Sequence, residues 1–370
     1  MSGRAGNERG ALRAARSTPE RITTVMNAPS RPRRRHAPAM GACLLAAALT
    51  LTACGGGASD RSSDASRGGG PSMKTDPGAF PVTVKTAFGS ATVTSAPKRV
   101  VALGWSDQDA ALALGVKPVA IVKTEEGFKN GVGPWAESAL GGSRPEVLDT
   151  TDGYPVEKIA ALHPDLILAV QSGITASDYA KLSQIAPTVA YLSGRKPYGT
   201  PWQEQTDLIG KVLGRRKEAD QAVANVEKGL KRDAAKYPSL NGKSFVYAFP
   251  QPANGRVVLY TDDRTKVLEK VGLTIDPVVA KAAKMNSFAN SLSMEHLDEL
   301  TSDALLVWYN TPQDQKRLES DAVFKKLPAV RRKAYVAVDR TLAQASGAPS
   351  VLSVPWEMDK LLPPLAQALK

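Results

Sequence analysis

Apolar residues fall along this chain in two rhythms. Val100-Val101-Ala102-Leu103 is an unbroken apolar run closed by Gly104, as a strand buried on both faces of a parallel sheet requires. A helix over 107–114 and a second short strand over 118–122 follow, and the alternation continues, the pattern of an α/β layer. Ahead of it Val82 and Val84, then Ala91 and Val93, alternate with polar residues about Gly89, predicting a small hairpin. Between Trp202 and Tyr237 there is no strand-like run. "WQEQTDLIGKVLG" and "RKEADQAVANVEKGLKRDAAKY" read as helices, the second with Ala222, Val223, Val226 and Leu230 on one face. Pro238 stops it, and "KSFVYAF" and "RVVLYT" open a second set of strands. The fold class predicted is α/β: two α/β lobes with mostly parallel central sheets, over 80–214 and 239–370, joined by one long helix over 215–238.

An internal match supports two lobes of related design. "EKIAALHPDLILAV" (157–170) and "EHLDELTSDALLVW" (295–308) align without a gap, pairing Glu157 with Glu295, Ile159 with Leu297, Leu162 with Leu300 and Asp165 with Asp303. Each reads as a short helix, a turn and a buried strand. Pro155 suits a first helical turn and Ser293 an N-cap, so each glutamate sits where the helix dipole favours negative charge. Taken singly, either is helix stabilisation. A matched carboxylate on both lobes suggests two contacts with a symmetric partner.

Charge alters the picture only at the front. The formal net charge is +12 over 370 residues, at first sight a polyanion binder's. Residues 1–53 hold nine arginines, no lysine and only Glu8 and Glu20, a net of +7; +12 less +7 leaves +5 for residues 54–370, which solubility alone accounts for. No basic run interleaved with aromatics follows, so nucleic acid is not an expected partner. The same front end has the layout of a secretory signal, with basic residues at 31–36, an apolar run over 39–53 and small residues at the cut. That run is too short for a spanning helix. Leu51-Thr52-Ala53-Cys54 resembles a bacterial lipobox, making Cys54 the expected lipidation site. The peptide from Met26 has ordinary signal proportions, so residues 1–25 are expected to be either an upstream misassigned start, with Met26 the true one, or a tolerated extension; the arginine triplet lacks the apolar pair of a twin-arginine signal. From Cys54 to Ala79 the chain is Gly-, Ser- and Asp-rich, a flexible tether.

In open α/β sheets ligands bind beyond the carboxyl ends of the strands. That rule selects Trp105 and Ser106 after the first strand, Gln171 after the 166–170 strand, and Arg195, Tyr198 and Trp202 within "SGRKPYGTPW". In the second lobe it selects Tyr309 after the repeat strand and Arg340 after "YVAVD", and Arg256 beside the turn "NG" is added. Aromatics with arginines suit a planar or π-rich anionic ligand. Catalysis finds no support: there is no nucleophile motif or P-loop, and His163 and His296 lie in equivalent elements of different lobes without metal-ligand spacing. No catalytic residue, metal ligand or cofactor is expected.

Lipobox, "PKRVVALGWSDQDAALALGVKPVAI", "YPVEKIAALHPDLILA", "IAPTVAYL", the long helix and "SMEHLDEL" together resemble the periplasmic-binding lipoproteins of iron–siderophore and cobalamin ABC importers. The resemblance implies two lobes linked by a rigid helix, with the ligand in a cleft between them. It implies capture of a ferric siderophore, or alternatively of heme or cobalamin, with Tyr198 and Tyr309 as possible axial ligands to heme. It also implies an extracytoplasmic monomer held to the membrane by its N-terminal lipid and delivering its ligand to a permease dimer driven by an ATPase. By position in the motifs, Glu157 and Glu295 would dock on the permease.

Overall fold

The computed structural model describes residues 75–124, 127–128, 130–283 and 289–370. Cys54, the signal segment with Met26 and most of the tether lie outside the described residues.

A hairpin of β1 (Val82–Thr86) and β2 (Gly89–Val93) leads into β3 (Val100–Ala102), β4 (Ala120–Val122), β5 (Glu146–Leu148), β6 (Leu166–Ala169) and β7 (Thr188–Ala190). The last five form one all-parallel sheet in the order β5-β4-β3-β6-β7. The unbroken apolar runs arise because both faces are covered. Val100, Leu166, Leu168 and Val189 pack with the hairpin and the helix Trp202–Val212. Val101, Ile167, Ala169 and Ala190 pack on the other side with Ile159 and Leu182.

The second lobe holds β8 (Ser244–Gln251), β9 (Arg256–Tyr260), β10 (Thr274–Ile275), β11 (Ala289–Ser293), β12 (Ala304–Trp308) and β13 (Tyr335–Val338). Its main order is β11-β9-β8-β12-β13, with β10 also paired to β8. β8–β12, β12–β13 and β8–β10 are parallel, whereas β8–β9 and β9–β11 are antiparallel. This sheet is therefore mixed, because Pro252–Asn254 and Gly255 turn the chain straight back. Gly255 takes the left-handed backbone (φ 62°) that closes such a turn. Period two again sorts the core: Phe245, Tyr247 and Leu306 face the C-terminal helix Ser353–Ala368, while Val246, Leu305, Val307 and Tyr309 face the opposite layer.

The helix Arg216–Lys236 connects the two sheets, and at 1.5 Å per residue it is about 30 Å long. Val226 and Leu230 are buried on it, with Ala222 and Val223 packed alongside, and Pro238 opens the turn that ends it. The lobes also touch directly. The Ser350 hydroxyl donates to the Asp109 carboxylate (2.7 Å), which also accepts from the Trp135 indole (2.7 Å), and the Trp135 and Trp356 rings lie 5.4 Å apart.

The internal match has a structural counterpart. Asp165, just before β6, accepts the backbone N–H groups of Lys98 and Arg99 (2.7 and 2.8 Å) ahead of β3. Asp303, just before β12, accepts from the backbone N–H of Ser244 (3.0 Å) at the start of β8. Each aspartate thus ties the entrance of its own strand to that of its parallel neighbour. The preceding turns differ. Glu157 lies in an α-helix, Val156–Ala161; Glu295 lies in a 3₁₀ turn, Met294–Glu299, capped by the Ser293 side chain and kinked at His296. Both glutamates are exposed.

Candidate functional site

The carboxyl ends of all five parallel strands of the first lobe open onto one cleft of about 830 Å³. Trp105 follows β3, Lys123 β4, Asp149 β5 and Gln171 β6, and Tyr198 comes from the loop after β7. The facing wall is built by Tyr260 at the end of β9 with Asp262, Asp263 and Arg264 after it, by Trp308 at the end of β12, and by Arg340 and Gln344 of the helix Arg340–Gly347.

Buried polar groups hold the first wall. Asp107 is fully buried and accepts from the backbone N–H of Val170 (2.8 Å) and Gln171 (3.0 Å) and from the Gln205 amide (2.7 Å). Burial raises its carboxyl, and those donors oppose the rise. The effect is to clip the loop after β6 to the loop after β3, where the Trp105 N–H also donates to the Gln171 carbonyl (2.9 Å). Gly104 is required at this clip, since a β-carbon there would lie 2.3 Å from the Asp107 carboxylate. Tyr198 is held in left-handed backbone (φ 57°) by bonds to Ser172 and Gln171. Its ring covers Gly173, where a β-carbon would meet the hydroxyl at 2.6 Å. Trp105 and Tyr198 then form one aromatic surface, centroids 4.5 Å apart, and both are among the most exposed large apolar side chains described.

The second wall is aromatic too. Trp308 stacks flat on Phe249 (4.0 Å, 8°) and points its indole N–H at the Tyr260 hydroxyl (3.3 Å). The Arg264 guanidinium lies 3.6 Å from the Tyr260 ring centroid, a cation–π contact, and its Nε donates to Asp262 at 2.7 Å. Burial raises the Asp262 carboxyl, and Arg264 opposes it. Across the cleft Lys123 meets Asp149 at 3.0 Å. Thr151 and Lys123 hold the Asp149 carboxyl well below the usual carboxylate range. Among the described residues, no group of three or more His, Cys, Asp or Glu is arranged to hold a metal ion.

Of the nine sequence-selected residues, Trp105, Gln171, Tyr198 and Arg340 meet at this cleft, and five lie elsewhere. Ser106 is buried beneath it, bonded to Gln205 (3.1 Å). Arg195 is pulled aside by Glu204. Trp202 is buried in the core beside the linking helix. Arg256 is exposed on the β8–β9 hairpin, in register with Ser293. Tyr309 is one residue out of phase: strand alternation sends Trp308 to the cleft and Tyr309 into the opposite core layer, where its hydroxyl meets that of Tyr335 (2.6 Å). Lys123 and Asp149 directly follow β4 and β5, so the carboxyl-end rule extends to them as well. Tyr260, Asp262 and Arg264 had no such signal, because the strand before them is antiparallel.

A model of the family described as "Periplasmic binding protein" matches residues 100–340. The chain belongs to this family. Its members are binding proteins rather than catalysts. The Fe(3+) dicitrate-binding periplasmic protein FecB of Escherichia coli is 28% identical over 265 residues, covering 70% of this chain and 83% of FecB. The iron(3+)-hydroxamate-binding protein FhuD of Bacillus subtilis is 28% identical over 308 residues, covering 79% and 87%. Among solved structures, a periplasmic solute binding protein of Mycobacterium smegmatis is 34% identical with a TM-score of 0.71, covering 78% of this chain and 99% of that one. PiaA of Streptococcus pneumoniae, in complex with ferrichrome, is 30% identical with a TM-score of 0.68, covering 78% and 98%.

Proposed function

We propose that the protein is an extracytoplasmic carrier that captures a ferric siderophore and hands it to the permease of an ABC importer. The observation that carries this reading is the cleft itself, walled by Trp105 with Tyr198 on one side and by Tyr260 with Trp308 on the other. A chelator that wraps its iron presents organic surface, and the protein then supplies stacking and shape rather than metal ligands. The iron-carrier names among its relatives point the same way. The linking helix and the Asp109–Ser350 contact favour a grip with little lobe movement. In this reading Cys54 bears the lipid, residues 55–79 give reach, and the exposed Glu157 and Glu295, one per lobe, meet the two permease subunits. Of the two tyrosines that the resemblance offers to heme, Tyr198 lines the cleft and Tyr309 does not, so the heme-binding alternative rests on Tyr198.

Tryptophan fluorescence of the purified protein tests the reading, because Trp105 and Trp308 line the cleft. Saturable quenching by ferric siderophores is the expected result. Tighter binding of heme or cobalamin, or a response to free metal ions alone, overturns it.

A further inference from the structure

The charges of the cleft cancel. Its lining cations are Lys123, Arg264 and Arg340, and its lining carboxylates are Asp149, Asp262 and Asp263, among the described residues. The first two cations are already engaged inside the lining, Lys123 with Asp149 at 3.0 Å and Arg264 with Asp262 at 2.7 Å. Asp263 is likewise engaged by Lys266 at 2.7 Å, a residue that does not line the cleft. A polyanion entering this site would lose its hydration and meet three carboxylates along with the three cations. No net positive field offsets that loss.

Ferric chelates differ sharply in charge. Three catecholates leave an iron(III) complex strongly negative, and citrate-type chelators keep ionised carboxylates. Three hydroxamates each lose one proton, which balances the iron and leaves a neutral core with a largely methylene exterior. Such a surface suits four aromatic faces and a charge-balanced rim. Resting on the carrier reading above, we propose that the ligand is a near-neutral ferric hydroxamate chelate and that the cleft selects against polyanionic ones. Two of the three arginines expected there from sequence, Arg195 and Arg256, lie away from this cleft, and aspartates pair with two of the three cations that line it.

The experiment is a titration of the purified protein with a ferric trihydroxamate, a ferric tricatecholate and ferric citrate, each at low and high salt. The trihydroxamate should bind at least about tenfold more tightly than the other two, with affinity nearly independent of salt, since a neutral ligand has little charge to screen. Tighter binding of an anionic chelate, weakening as salt rises, overturns the proposal and leaves the carrier reading standing. No binding of any ferric chelate overturns both. A second arm uses Asp149→Asn with Asp263→Asn, which gives the lining a net charge of +2. It should raise tricatecholate affinity by about tenfold relative to that for the trihydroxamate. No gain for the tricatecholate counts against the proposal.

Discussion

The two lobes use the same helix–turn–strand unit and finish it differently. In the first, five parallel strands all deliver their carboxyl ends to the cleft. Its loops are fixed by a buried carboxylate, Asp107, that accepts three close hydrogen bonds. In the second, a hairpin turns β9 against β8, so much of the wall comes from the start of a helix, Asp263–Glu269, and from the ion pair Asp262–Arg264. One of its buried acids, Glu357, accepts one bond, from Ser346 (2.6 Å), and its second oxygen has no partner among the described residues. Burial raises both carboxyls, and donors offset that penalty: Asp107 has three of them and Glu357 one.

The comparison breaks most visibly at the two exposed glutamates. If the lobes present equivalent contacts to a two-fold partner, reversing both charges (Glu157→Arg with Glu295→Arg) should abolish uptake of the iron chelate in cells while leaving affinity of the purified protein unchanged. Each single reversal should fall between. Unchanged uptake by the double variant sinks the docking role, and the repeat is then architecture only.

The buried acids give the next largest effect, with a defined sign. Burial pushes Glu357 up to about 7 and Asp109 up to about 6. Both carboxyls thus hold protons more tightly in the folded chain than in the unfolded one, so their contribution to stability is greatest at low pH. It declines as pH rises from about 4.5 through 7 for Glu357. Glu357→Gln imitates the protonated form and should remove that decline, up to about 3 kcal/mol between pH 5 and pH 8. Denaturant melts of both proteins at the two pH values measure it. Parallel profiles would mean that Glu357 is stabilised as an anion, with the Arg264 charge opposing the effect of burial.

What the sequence disclosed follows the same division. Parallel strands advertise themselves as apolar runs, and one rule about their ends finds Trp105 and Gln171. The turn at 252–255 reverses a strand without altering its composition, so nothing in "RVVLYT" signals that Tyr260 and Arg264 face the cleft. Tyr309 shows the finer limit. At a strand end, which of two neighbouring aromatics faces the ligand depends on a phase of one residue, and Leu306 in the core layer behind Trp308 decides it. Arg195 and Ser106 show another: a polar residue near a cleft can be claimed by a neighbour, here Glu204 and Gln205, that is distant or unremarkable in sequence.

The smallest effect bears most directly on whether the repeat is structural. Asp165 and Asp303 occupy matched positions, and each ties two strand entrances together, so Asp→Ala should cost about 1–2 kcal/mol at either site. Asp303 should lie at the upper end, because it is less exposed, accepts from both the N–H and the hydroxyl of Ser244, and meets Arg332 at 3.4 Å. The Ser244 backbone bond heads the causes that lower the Asp303 carboxyl, so its share of stability is present near neutral pH and is lost as pH falls through the folded value. Asp165 accepts two backbone N–H groups at the surface, where water can replace it more readily. Equal losses, within about 0.5 kcal/mol after allowing for exposure, would establish the two aspartates as one device used twice. A loss at Asp303 alone would mean that the first lobe's strands are aligned by the Asp107 clamp and that Asp165 is redundant with it.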